Sequence, residues 1–260
     1  VCGWQRLIPE AFISKARLGT IGAHGSCDGI TKGRGRSPQN WALLMGSKKF
    51  QISLFKIESG IDNGKVISTE TFELKSTDTI RTSYIKCGFA ISKSIHAIYV
   101  NPSLIENSID QTGLVTYFPK RTPEDGFIDW NLSVITIHNQ VKALSDPYPN
   151  SRTIIKNNVI YIKRSNPIEC EHNYENGLIV DVLSDKSFLV TAQNGFLLAE
   201  EYYMEDYSYK IKIGMKLESV SFSETNNKII ERFKKEFPGK KLNQSLINFW
   251  NENGFKYSIE

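Results

Sequence analysis

The densest concentration of chemistry-bearing residues lies at 21–44, IGAHGSCDGITKGRGRSPQNWALL, and resumes at 53–67, SLFKIESGIDNGKVI. Glycines at 22, 25, 29, 33 and 35 allow backbone to approach a ligand closely and to turn through positive φ. His24 sits inside this stretch, where core packing explains a histidine less readily than it does on an apolar helix face. Its two readings are an acid–base group and a loop imidazole satisfied by backbone. Asp62 lies in the turn GIDNG. Its carboxylate either reaches back to an imidazole and accepts protons, or closes an Asx turn with Asn63 and Gly64. Lys32, Arg34 and Arg36 read as a solvated turn or as a clamp on phosphate, because guanidinium forks bind phosphate in bidentate fashion. Further along, RTPEDGFIDW gathers Arg121, Glu124, Asp125, Asp129 and Trp130. No metal-ligand spacing occurs, and His96, His138 and His172 have no partner pattern.

These groups need elements to hold them. QISLFKI, from 51 to 57, alternates with period two and predicts a strand; VISTETFEL predicts its partner across the GIDNG turn. Ile80, Tyr84, Ile85, Phe89, Ile91, Ile95 and Ile98 recur at helical spacing, so 76–100 predicts a long amphipathic helix capped by Ser76-Thr77-Asp78. DPYPNSRT, at 146–153, marks a boundary near Asn150. Beyond it VIYIKR, GLIVDVLS, SFLVTA, GFLLAEEYY and IGMKLES predict short strands of a small antiparallel barrel. From Ser223 the pattern turns helical: KIIERFKKEF ends at Pro238-Gly239, and LNQSLINFWNENGF ends at Gly254. The apolar faces of these two helices suit packing on the barrel or on a second subunit, as in a homodimer, away from the chemistry.

Composition narrows the function classes. Lys+Arg 32 against Asp+Glu 28 gives +4, a mild excess that suits small anionic ligands. Nucleic acid is not the expected partner, since no concentrated basic patch is evident. Cysteines at 2, 27, 87 and 170 form no CxxC pair, which argues against a zinc ribbon and for thiols of a cytoplasmic protein. No run approaches the roughly 18 apolar residues of a membrane span, so no membrane association is expected.

In order along the chain, LIP at 7–9, HGS at 24–26, GRGRSPQNWAL at 33–43, GIDNG at 60–64, RTPEDGFIDW at 121–130 and PYP at 147–149 resemble the folate-dependent formyltransferase family. That family includes methionyl-tRNA formyltransferases, glycinamide ribonucleotide transformylases and nucleotide-sugar N-formyltransferases. The resemblance implies an α/β, Rossmann-like formyltransferase domain over 1–150, a small OB-like β-barrel over 151–222 and a helical tail over 223–260. It also implies that the chain begins part-way through its first domain, with a strand ending near Trp4. The family's His and Asp fall on His24 and Asp62, which implies that they act as the catalytic pair on 10-formyltetrahydrofolate, the co-substrate, with no metal. Backbone around Gln5, Arg6 and Leu7, with Ser59, Gly60 and Ile61, is where the family holds the pterin. The 121–130 segment borders the acceptor cleft, where Trp130 could stack and Asp129 could hydrogen-bond; the alternative for Trp130 is a plug at a core edge.

One position departs from the family pattern, which has an Asn two residues before the His. Here it is Gly22. Losing one oxyanion donor typically costs about 2.7–4 kcal/mol, so a backbone N–H, a water or Asn40 must take over, or activity is weak. The long Gly-Arg-Gly-Arg-Ser-Pro loop and compact C-terminal part favour N-formylation of a nucleotide-linked amino sugar, as in surface polysaccharide or O-antigen synthesis. Formylation of methionyl-tRNA is the alternative within the enzyme class. A catalytically weak folate- or nucleotide-sugar-binding relative is the alternative outside it.

Overall fold

The structure, a computed structural model, describes residues 1, 8–17, 19–206 and 208–257. In chain order its first part contains α1 (Glu10–Ile13), β1 (Ile21–Ser26), β2 (Arg34–Gly35), α2 (Pro38–Leu44), β3 (Lys49–Lys56) and β4 (Val66–Glu73). There follow α3 (Ile80–Val100), α4 (Ser103–Glu106), β5 (Tyr117–Phe118) and α5 (Val134–Ala143). The expected hairpin is present. β3 pairs antiparallel with β4 on one side and with β1 on the other, giving the order β1-β3-β4 with His24 opposite Ser53. Among the described strands, β2 and β5 form a short parallel pair. The strand expected near Trp4 lies outside the described residues.

Helix α3 covers this sheet, but with a different face from the expected one. Its buried stripe is Ile80 followed by Ser83, Cys87, Ala90 and Ser94, and these last four are small residues that let the helix lie close to β3 and β4. Ile85, Phe89, Ile95 and Tyr99 face solvent. The N-cap is Thr79, whose hydroxyl accepts from Thr82 N while Thr82 Oγ1 accepts from Thr79 N. Asp78, at the edge of the expected Ser76-Thr77-Asp78 cap, instead takes the Lys75 N–H and an ion pair with Lys86. That pairing and its hydrogen bonds hold the carboxyl below its ordinary range, against the opposing effect of burial.

After Asn150 come β6 (Ser151–Ile155), β7 (Asn158–Glu169), β8 (Ile179–Val182), β9 (Phe188–Ala192) and β10 (Gly195–Met204), all antiparallel in the order β6-β7-β10-β9-β8. The segment expected as a last strand, IGMKLES, reaches both edges of this sheet: Ile179 N donates to Met215 O and Glu218 N to Ile154 O. The result is a β-rich unit whose core holds Ile155, Ile160, Ile162, Phe188, Val190 and Leu197. Helix α5 joins the two parts, sending Val134, Ile137 and Val141 into the β-rich core and Ala143 into the first one.

The tail forms α6 (Phe222–Glu236), capped by Ser221, and α7 (Gln244–Glu252), capped by Asn243. Its packing corrects the expectation drawn from its apolar faces. Ile229, Phe233, Phe237, Leu246, Ile247 and Trp250 belong to the first core, with Trp41, Leu44 and Phe50, rather than to the β-rich unit. Trp250 meets Trp41 edge-on at 6.2 Å between ring centroids. Burial of this size decides placement, since a fully buried aromatic contributes several times the energy of a surface contact.

Candidate active site

His24 projects from β1, and alternate residues of a strand share a face, so position 22 lies beside it. Asp62 sits in the turn between β3 and β4 at φ 48°, a left-handed conformation that Asp tolerates better than most residues. The turn sets Asp62 Oδ2 3.3 Å from His24 Nδ1, with the two side chains 11% and 21% exposed. They are shielded from bulk solvent yet reachable. Gly35 N also donates to Asp62 Oδ2 at 3.4 Å. The second ring nitrogen, Nε2, stands 2.8 Å from Gly33 O. Both neighbours of the ring are acceptor-only oxygens, so both contacts are hydrogen bonds only when both nitrogens carry protons. One nitrogen of His24 thus faces a carboxylate and the other a backbone carbonyl.

The loop that supplies this carbonyl needs its glycines. A Cβ on Gly33 would stand 1.7 Å from Ser26 Oγ, and one on Gly35, at φ 95°, would stand 2.6 Å from Phe118 O. Only Gly-Arg-Gly threads between β1 and β5 here. Within it Arg34 is buried, and its Nη2 donates to Gln111 Oε1 at 2.8 Å. Gln111 is a residue that sequence reasoning missed. Its Nε2 donates to the carbonyls of Asp62 and Gly64 at 2.7 and 2.9 Å, tying the acid's turn to the basic loop. Lying in an irregular segment, it had no periodicity or motif to reveal it.

At Gly22 the departure from the family pattern has a structural counterpart. A Cβ there would lie 3.0 Å from Ile57 Cγ1 and 3.1 Å from Phe55 Cζ, so apolar side chains already fill the space beside His24. Asn40 does not replace the missing amide, which corrects its assignment as an oxyanion donor. It is buried, its Nδ2 donates to Ala143 O, and its Oδ1 accepts from Arg121 Nη1 at 2.9 Å. The first turn of α2, beginning at Pro38, turns position 40 inward toward α5.

Other expected contacts are also resolved. Trp130 is a core plug, fully buried with Nε1 donating to Thr153 Oγ1 at 3.0 Å, and so is not a stacking surface. Asp129 accepts from Asn131 N and, across the chain, from Phe222 N at the start of α6, which fixes that junction. Arg121 lies over the Trp41 ring at 5.0 Å, and burial lowers its pKa to about 10, which leaves it charged at neutral pH. Lys32 is exposed, and Arg36 pairs with Glu236 at 3.4 Å. Ser59 and Gly60 are exposed beside Asp62, and Ser59 O accepts from Asn63 Nδ2. Ile61 is partly buried against the first core. Gln5, Arg6 and Leu7 lie outside the described residues. Cys27, close in sequence to the site, is pushed up to about 12 by burial and stays a thiol. Among the described residues no cluster of His, Cys, Asp and Glu could hold a metal ion, and no helix is long and apolar enough to cross a membrane.

Two family models match the chain, the formyl transferase model over 1–96 and the formyl transferase C-terminal domain over 120–208, so both parts of one architecture are present in order. The chain belongs to the formyl transferase family. It is 30% identical over 62% of its length to the bifunctional polymyxin resistance protein ArnA of Wigglesworthia glossinidia brevipalpis, spanning only 25% of that protein. It is 29% identical over 83% of its length to methionyl-tRNA formyltransferase of Alkaliphilus oremlandii, spanning 68% of it. Two solved structures share the fold. HypX from Aquifex aeolicus in complex with tetrahydrofolic acid aligns with a TM-score of 0.61 at 16% identity, over 93% of this chain and 39% of that one. The N-formyltransferase from Helicobacter canadensis, in complex with folinic acid and dTDP-3-aminofucose, aligns with a TM-score of 0.56 at 19% identity, over 77% and 71%.

Proposed function

We propose that this chain transfers the formyl group of 10-formyltetrahydrofolate to the amine of a nucleotide-linked amino sugar, with His24 and Asp62 as the catalytic pair. The observation that carries the reading is the 3.3 Å approach of Asp62 Oδ2 to His24 Nδ1 within a formyl transferase domain. The folate supplies an activated formyl carbon. Asp62 fixes the orientation of the ring and takes the proton that the amine loses as it bonds to the formyl carbon, and His24 Nε2 hydrogen-bonds the oxygen that becomes negative. When that oxygen re-forms its double bond the carbon–N10 bond breaks, and N10 leaves with the proton as tetrahydrofolate. Because Nε2 already donates to Gly33 O, that bond has to be shared with, or exchanged for, the substrate oxygen. The attacking amine must be neutral, since an ammonium has no lone pair. The exposed Ser59–Gly60 turn beside the pair suits a folate approaching from solvent. The relative from Helicobacter canadensis, with its bound dTDP-amino sugar and folinic acid, supports this substrate class.

A catalytically weak, ligand-binding relative is the second reading. It is favoured by Gly22, where Ile57 and Phe55 stand in place of a second donor. Formylation of methionyl-tRNA is supported by the relative that aligns over 83% of this chain. One assay separates the three. Purified protein is given 10-formyltetrahydrofolate with a panel of nucleotide-linked amino sugars and, separately, with methionyl-tRNA. Turnover on a sugar alone supports the proposal, turnover on tRNA replaces it, and folate binding with no turnover on either supports the weak relative.

A further inference from the structure

We infer that Asn243, the cap of the last helix, is a positioning residue for His24. Capping alone asks little of a side chain: an acceptor oxygen for an N–H of the first turn, which Ser, Thr, Asp or Asn supplies. Asn243 does this with Oδ1, which accepts from Leu246 N at 2.9 Å. Its other end does something a cap does not need. Nδ2 donates to Lys32 O at 2.7 Å and to Asp28 Oδ2 at 2.8 Å, both on the loop that leaves β1. An amide carries two N–H donors and one acceptor oxygen, so Asn satisfies all three demands, whereas Asp has no donor and Ser a single one on a shorter arm. The residue is 1% exposed, so bulk solvent does not compete for these bonds.

The consequence reaches the ring within one peptide unit. Lys32 O, held by Asn243 and also by Thr116 Oγ1, immediately precedes Gly33, whose carbonyl faces His24 Nε2. The backbone around Asn243 is itself anchored to β5, since Tyr117 N donates to Lys241 O and Asn243 N to Tyr117 O. β5 in turn holds Arg34 and Gly35 of β2. The tail therefore grips the loop from two sides. This contradicts the expectation that the tail stands clear of the chemistry. The matched family models end at residue 208, so the contact belongs to a part of the chain they do not describe.

This inference rests on the reading of His24 as a donor to substrate, but its structural half can be measured without any substrate. Asn243→Ser and Asn243→Asp both keep a capping oxygen and remove the amide donors. Long-range proton–nitrogen spectra of the imidazoles report His24 directly. His172, whose Nε2 stands 2.8 Å from Ala192 O, serves as an internal reference. We expect exchange of the His24 Nε2 proton to rise at least about tenfold in both variants, with His172 altered less than about twofold. We also expect kcat for formyl transfer to fall at least about tenfold while KM for folate changes less than about threefold. Unchanged His24 exchange in a folded variant overturns the proposal, as does unchanged kcat in an active protein. Failure of both variants to fold, with the cap retained, also overturns it in favour of a purely structural role. Altered His24 exchange in a protein that formylates nothing supports the positioning role and rejects the proposed function instead.

Discussion

Around the β-rich sheet the buried interior is aliphatic and aromatic, and its buried polar groups are neutral ones such as Ser151, Thr153, Ser165 and Thr191. Around β1 and α2 the chain also buries charge, with Arg34 and Asp125 both less than a tenth exposed. Burying charge is unfavourable unless each group finds a partner, and the partners here come from distant segments: Gln111 for Arg34 and Arg232 for Asp125. The contrast separates a scaffold, which needs only volume and pattern, from a site, which needs several remote side chains to arrive together. The tail belongs with the site because it supplies both apolar mass and a polar contact to that region.

The sharpest way to break this division is Trp250→Ala. Removing a fully buried indole from the core shared with Trp41 should cost about 3–5 kcal/mol, read by urea unfolding. A loss below about 1 kcal/mol would mean the tail is an appendage and not part of the first core. Gly33→Ala comes next. Its Cβ would collide with Ser26 Oγ, so the loop must shift, at a cost of about 1–3 kcal/mol in thermal or urea unfolding. Unchanged stability would show that the loop is loosely held.

The β-rich side has its own titrating group. Burial, aided by nearby Lys142, lowers His138 to about 4, and its Nδ1 stands 3.1 Å from Ser165 Oγ. An unfolded histidine titrates near 6.5, so below that pH the unfolded chain binds a proton that the folded ring refuses. The associated stability is fully present above about 6.5 and is lost as pH falls toward about 4. We expect a loss on the order of 1 kcal/mol after allowing for the ring's partial exposure, absent in His138→Gln. An identical pH slope in the variant would remove His138 from the account. Smallest is Thr79→Ala, which should lower stability by about 0.5–1 kcal/mol through the lost cap of α3. No change would return the cap to Ser76-Thr77-Asp78.

The sequence revealed what is local. β3, β4 and the turn that carries Asp62 were legible because period-two alternation and GIDNG lie within two dozen residues, and His24 because ordered motifs flank it. Direction was not legible. Asn40 and Trp130 carry suitable chemistry, but helix phase in one case and sheet packing in the other turn them into the core. The apolar spacing of α3 misled for a related reason: packing close to a sheet favoured Ser83, Ala90 and Ser94 over the larger Ile85 and Phe89. Gln111 and Asn243 were invisible because their partners are backbone carbonyls 49 and 211 residues away. Nothing in one sequence marks such a pairing.

The central claim is that His24, oriented by Asp62, donates the hydrogen bond that stabilises the oxyanion of formyl transfer. Single-turnover transfer from 10-formyltetrahydrofolate to the accepted amine, comparing His24→Asn with the unaltered chain at equal folate occupancy, tests it most directly. The account predicts a rate at least about a hundredfold lower, equivalent to about 2.7 kcal/mol of lost transition-state stabilisation, with unfolding behaviour preserved. A rate within about threefold of the unaltered chain would contradict it and leave the imidazole as a brace for the Gly33 carbonyl.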